Sequence, residues 1–248
     1  MRGIFRFLIL LGLAGAVRAG EPAGKPGDLT DPKEILGRAQ AAAKKVKLAS
    51  YRADYIAEGW VTKFVPNVQG TVLVGDDTQQ GVERFKCKVK ITPNESAEVM
   101  EFEAGSDGNE YYLIDAKTKT VHQDMDPAVL GTQNRNMRRV VMTEFGVREP
   151  FKAELEDGKV ELRGTAKVGE EECYEILADT GRPPVLVWWI STKDSLPRQL
   201  RRMHKNPEGQ EGMTQLTVLD LKVDFKTEKD PFALEVPGGF KKTDEFAP

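Results

Sequence analysis

Residues 185–200, VLVWWISTKDSLPRQL, hold the most concentrated apolar material downstream of the N-terminal segment, followed by a sharp turn. Val185, Val187 and Trp189 alternate with Leu186, Trp188 and Ile190, so a strand here is apolar on both faces. Successive side chains point to opposite sides, which sends Trp188 and Trp189 to different faces. Ser191-Thr192-Lys193-Asp194-Ser195 has the composition of a turn, and Pro197 stands near the first position of the next run, where a missing N–H does least harm. The stretch reads as a hairpin with one face packed under a helix and the other in need of a second cover. That surplus of apolar surface is the first reason to expect a cavity for an apolar ligand.

At the start of the chain, Arg2 and Arg6 flank the apolar run Phe7-Leu8-Ile9-Leu10-Leu11-Gly12-Leu13-Ala14, and Val17-Arg18-Ala19 places small residues where a signal peptidase cuts. Residues 1–19 therefore read as a secretory signal peptide, too short for a membrane span of roughly 20 apolar residues. Removing them takes away three arginines and moves the formal charge from −3 to −6. A mildly acidic exported protein is a poor match for nucleic acid or an anionic membrane surface. Residues 20–30 have the glycine, proline and charge of a flexible leader, and residues 31–248 suffice for a single domain with a real core.

Asp31-Pro32-Lys33-Glu34 offers an N-cap, a proline at the first helical position and a capping-box glutamate. Ile35, Leu36, Ala39, Ala42, Ala43 and Val46 follow at helical spacing, a stripe of mostly small residues able to lie close on a sheet. From Ser50 the period changes to two, with strands expected at 51–65, 70–75, 81–91, 97–103, 110–114 and 120–123. The short loops between them imply an antiparallel meander. Asp126-Pro127 opens a second helical segment reaching about Phe145, weak in its middle at Gly131-Thr132 and Asn134 to Asn136. Further strands are expected at 151–155, 159–164, 172–178, 185–191, 199–205, 213–225 and 232–236. The class is mainly β (α+β), with a strongly curved antiparallel sheet and helices over one opening.

The order of these segments, with Asp107-Gly108-Asn109-Glu110-Tyr111-Tyr112-Leu113-Ile114-Asp115, the Gly169…Cys173-Tyr174 segment, Trp189-Ile190-Ser191, Leu196-Pro197-Arg198 and the terminal run from Asp230-Pro231-Phe232 to Gly238-Gly239-Phe240, resembles the LolA/LolB lipoprotein-carrier superfamily, in particular its exported outer-membrane lipoprotein-sorting-like branch. The resemblance covers nearly all of the chain that remains after the expected signal peptide. It implies an incomplete barrel with a helical lid over its concave side, an apolar cavity for lipoprotein acyl chains, and a periplasmic location. It also implies an arginine on an early strand that holds the lid shut, for which Arg84 in Glu83-Arg84-Phe85 is the nearest match, without the proline that usually precedes it.

The expected cavity wall is Trp60, Phe64, Met100, Phe102, Leu113, Val140, Phe145, Trp188 and Trp189, since pockets for apolar ligands are walled by aromatic and aliphatic groups. Each is equally a core residue by type. Arg198, Arg201 and Arg202, with His204 and Lys205, form the one basic concentration, either a surface for an envelope protein partner or the wet face of a strand. His122 and His204 lack metal-ligand spacing, and no nucleophile elbow, P-loop or dinucleotide fingerprint occurs, so no catalytic residue, metal or cofactor is expected. Cys87 and Cys173 either pair, closing a loop of about 86 residues worth roughly 4 kcal/mol, or remain buried thiols. Two functions follow: a lipid-binding carrier, or a sensing module with the same fold.

Overall fold

The structure is a computed structural model that describes residues 29–76, 84–93 and 99–247. The expected signal peptide at 1–19 and all but the last two residues of the expected leader lie outside the described residues, as do the first residues of the strands expected at 81–91 and 97–103.

Helix α1 spans Pro32–Ala43, with the Asp31 carboxylate accepting from the Lys33 N–H and with Ile35, Leu36, Ala39 and Ala43 buried. Twelve strands follow: β1 Leu48–Gly59, β2 Asn67–Gly75, β3 Arg84–Thr92, β4 Met100–Asp107, β5 Tyr111–Asp115, β6 Thr120–Asp124, β7 Lys159–Val168, β8 Glu171–Asp179, β9 Val185–Ser191, β10 Pro197–Lys205, β11 Glu211–Val223 and β12 Lys241–Thr243. They form one open curved sheet in the order β12-β6-β5-β4-β3-β2-β1-β11-β10-β9-β8-β7. All pairings are antiparallel except β12 with β6.

This order explains where the helices must lie. The meander starts in the middle of the sheet and walks outward from β1 to β6, while β7 to β11 begins at the opposite edge and walks back until β11 pairs with β1. The connection from Asp124 to Lys159 therefore has to cross from one edge to the other. It does so over the face that carries α1, as a 3-10 helix Pro127–Leu130, helix α2 Gln133–Val140, a 3-10 turn Thr143–Phe145 and helix α3 Lys152–Glu156. The lid of the incomplete barrel is thus the crossover itself. Gly131, at φ 53°, breaks the first piece from the second, and an added Cβ would sit 2.0 Å from the Ala247 carbonyl oxygen.

Three expected elements are corrected. Residues 151–155 are α3 and not a strand: Phe151 and Leu155 are four apart, both face the core, and the Leu155 N–H donates to the Phe151 carbonyl at 3.0 Å. Residues 232–236 form no strand, because Pro231 and Pro237 remove ladder donors around them; Phe232 is buried and Leu234 packs on Tyr112, Ile114 and Val121. The expected 51–65 strand stops at Gly59, at φ 71°, where a Cβ would lie 2.5 Å from the Glu211 carbonyl oxygen, and Trp60–Lys63 is a 3-10 helix.

The half-buried strand expected at 213–225 is β11, but its dry face changes phase partway. Thr214, Leu216 and Val218 are buried and Leu219, paired with Arg52, is half-buried on the outer face, whereas beyond a bulge between Arg52 and Ser50 of the partner strand it is Leu221 that packs on the main core. Asp220 sits there at φ 54°, and its carboxylate meets the Arg52 guanidinium at 2.6 Å. A bulge adds a residue on one strand, so the side chains beyond it exchange faces.

Cys87 and Cys173 are free and buried. Cys87 belongs to the main core, Cys173 to the small cluster of Val168, Val187 and Trp189 on the other face, and burial pushes both thiols up to about 12. Thiols so rarely ionised are poor nucleophiles at neutral pH.

Candidate functional site

The crossover and the sheet meet tightly. Val129, Leu130, Met137, Val140, Met142 and Phe145 are all at most 2% exposed. The hydroxyl of Tyr51, on β1, clasps the crossover twice: it donates to the Val140 carbonyl at 3.1 Å and accepts from the Met142 N–H at 2.7 Å. Its ring packs on Phe145 at 5.9 Å between centroids. Burial holds the phenol well above its ordinary pKa, so it remains a donor at any working pH. Where Val74 and Phe85 face Val141 and Val147, a hollow of about 30 Å³ remains, room for a single water.

Space opens at the end of the sheet where β1 stops. The turn at Gly59 throws Trp60 and Phe64 outward from the strand axis, their rings edge-on at 6.3 Å. Together with Tyr55, Val61 and Val65 they floor a cavity of about 380 Å³ between β1, β10, β11 and α2. Phe64 is 72% exposed, the kind of large apolar group that a soluble surface seldom presents beside a cavity. The rim is basic: Arg135, Arg138 and Arg139 come from α2, and Arg202 and His204 from the covered face of β10. A second cavity of about 640 Å³ adjoins it through Phe64 and the three α2 arginines.

The electrostatics of this rim are one-sided, since neither lining contains an aspartate or glutamate. Arg139 is held by Asn136 and Tyr55, and burial, with the adjacent charge of Arg135, keeps its pKa below the usual guanidinium value. His204 is also lowered, by burial and then by Arg202. The acidic group that acts on Arg202 is Glu144, whose carboxyl burial pushes up to about 7. Because this folded-state pKa lies above the ordinary carboxylate value, Glu144 is tolerated neutral at acid pH and opposes folding as pH rises through about 7. Relative to Glu144→Gln, the wild type is expected to lose about 2 kcal/mol of unfolding free energy between pH 5 and pH 8, a value reduced for its partial exposure. Urea melts of both proteins at the two pH values check this; parallel stabilities would refute it.

The expected wall residues fall into four places. Trp60 and Phe64 line the basic cavity. Met100, Phe102 and Leu113 line an open trough of about 570 Å³ near the other end of α2. Val140, Phe145 and Trp188 are interior, Trp188 packed against Phe151 at 4.9 Å. Trp189 lies on the opposite face, under the Arg201 guanidinium at 5.0 Å. Arg84 contacts the segment after β11: its guanidinium pairs with Asp230 at 2.8 Å and stands 4.6 Å over the Phe232 ring, while it also borders the small hollow beneath the crossover.

The three basic residues expected to form one surface diverge. Arg198 is 5% exposed and bridges Glu171 at 2.8 Å and Asp194 at 2.6 Å; Arg201 donates to Gln215 on the outer face; Arg202 faces the cavity. Two functional features escaped sequence reasoning. Tyr51 stands in a strand run with no local mark of its two contacts to the crossover, and nothing local shows that Arg202 joins the arginines of α2.

Among the described residues no group of three His, Cys, Asp or Glu side chains could hold a metal ion, and no helix is long and apolar enough to cross a membrane. No protein-family model and no curated protein matches the sequence. Solved structures do match. LprF from Mycobacterium bovis aligns over 85% of this chain and 99% of its own, at 12% identity and TM-score 0.50. MucB aligns over 83% of this chain at 9% identity and TM-score 0.53, and the alignment spans 63% of that protein's length. A LolA superfamily protein from Nitrosomonas europaea aligns over 83% of this chain at 11% identity and TM-score 0.34. At such identities the likeness is one of fold: the chain has a LolA-like fold, the incomplete barrel that the sequence resemblance implied.

Proposed function

We propose that this protein is an exported, non-enzymatic binding protein that holds the acyl chain of a lipid or lipoprotein against the open end of its half-barrel, beside the crossover lid. The observation that carries this reading is the exposed aromatic floor made by Phe64 and Trp60 in a cavity continuous with the covered face. A chain lying there gains about 0.8 kcal/mol for each methylene removed from water, so even a partly buried tail supplies useful affinity. Deeper entry requires the crossover to lift, because the space beneath it now holds the protein's own side chains. The signal peptide supports delivery across a membrane, and the shared fold with LprF and MucB supports the choice of scaffold.

The test is titration of an environment-sensitive fatty acyl probe into the purified protein. Saturable binding of one probe per chain is expected, weakened about tenfold by Phe64→Ser through lost apolar contact, with little change in stability because Phe64 is already exposed. Tyr51→Phe removes both clasp contacts, costs about 1–2 kcal/mol, and is expected to speed probe uptake. Absence of binding in wild type and in Tyr51→Phe alike would sink the reading.

A further inference from the structure

The acyl-chain reading leaves the basic rim unused. Four arginines, Arg135, Arg138, Arg139 and Arg202, surround one cavity whose lining contains no carboxylate, with Glu144 acting on Arg202 from outside that lining. Arg135 and Arg202 form no ion pair among the described residues. Planar guanidinium forks from two different elements suit a group with several oxygens and more than one negative charge.

We infer that the cavity between α2 and β10 is a headgroup site for a phosphate-bearing lipid: Arg135, Arg139 and Arg202 take the phosphate oxygens, and Trp60 and Phe64 take the first methylenes of the tail. This rests on the acyl-chain reading and narrows it to anionic amphiphiles. The two halves of the lining explain each other, since a free phosphate has no use for an exposed phenylalanine and a neutral tail has none for four arginines. Arg139 also makes the site selective for a charged head. Its burial and its neighbour's positive charge disfavour the guanidinium, and an arriving anion relieves that penalty.

Calorimetric titration with dodecyl phosphate, dodecyl maltoside and inorganic phosphate, each alkyl compound below its micelle threshold, tests this. Dodecyl phosphate is expected to bind one per chain, at least about tenfold tighter than the maltoside, and to weaken as salt is raised. The double variant R135Q/R202Q should erase that preference while keeping the maltoside affinity and the thermal midpoint; Arg202→Lys, which keeps the charge and loses the fork, should retain part of it. Equal affinities for the two alkyl compounds, or a preference that survives R135Q/R202Q, would overturn the headgroup site and leave the acyl-chain reading standing. Inorganic phosphate binding as tightly as dodecyl phosphate would overturn the lipid source. Failure of every alkyl compound to bind would remove the acyl-chain reading, and this inference with it.

Discussion

Replacing Trp188 with alanine is expected to lower the unfolding free energy by about 4 kcal/mol, among the largest losses available to a single substitution in this chain. The side chain is 1% exposed, its ring stands edge-on to Phe151 at 4.9 Å, and its N–H donates to the Glu154 carboxylate at 3.0 Å. Alanine therefore opens a cavity beneath α3 and also strands a carboxylate that is itself 6% exposed. Two further variants separate these costs. Trp188→Phe keeps most of the volume and should lose about 2 kcal/mol, chiefly from the unsatisfied Glu154; adding Glu154→Leu should recover much of that, because an apolar pair leaves nothing unsatisfied. Urea unfolding followed by far-ultraviolet circular dichroism measures all three without relying on the tryptophan signal. A loss below about 1 kcal/mol for Trp188→Ala would show that α3 does not seal the core as described.

The second large effect concerns Arg198. Its guanidinium is buried between Glu171 and Asp194 and also donates to the Leu196 carbonyl at 3.2 Å, so it pins the β9–β10 turn to the start of β8. Arg198→Ala is expected to cost about 2 kcal/mol, less than for a fully buried pair because both carboxylates are about 40% exposed and water screens them once released. Arg198→Lys should not restore stability, since one ammonium cannot span two carboxylates as the planar fork does. Arg202→Gln should change stability by less than about 0.5 kcal/mol, as its neighbours in the cavity are themselves positive. If Arg198→Ala melts like the wild type, the turn is held by its backbone bonds, among them Ser191 N–H to the Leu196 carbonyl and Ser195 N–H to the Ser191 carbonyl, both at 3.0 Å.

Much of the fold was legible because the signals involved are local. Asp31-Pro32 capped a helix where it should, alternation marked most of the strands, and Gly131-Thr132 broke the crossover while Asn134 to Asn136 stayed helical within α2. The misreading of 151–155 arises because a short apolar pattern fits two periods. Phe151 and Leu155 satisfy a helix as well as a strand, and only the Trp188 indole waiting for Glu154 decides between them. Trp60 and Phe64 were singled out by residue type, yet their exposure depends on Gly59, whose close approach to Glu211 ends the strand.

The sequence by itself determined most of the element types, the opposite facing of Trp188 and Trp189 and the antiparallel meander, because caps, turns and periodicity act over a few residues. Only the tertiary structure decided that β11 closes on β1, that the crossover thereby becomes the lid, and that Arg202 joins three arginines from α2 while Arg198 is buried elsewhere. Those outcomes are contacts between residues far apart in the chain, set by which strand edges pair and by the irregularity between Pro197 and Gln199 where β10 meets β9. No local pattern carries that information.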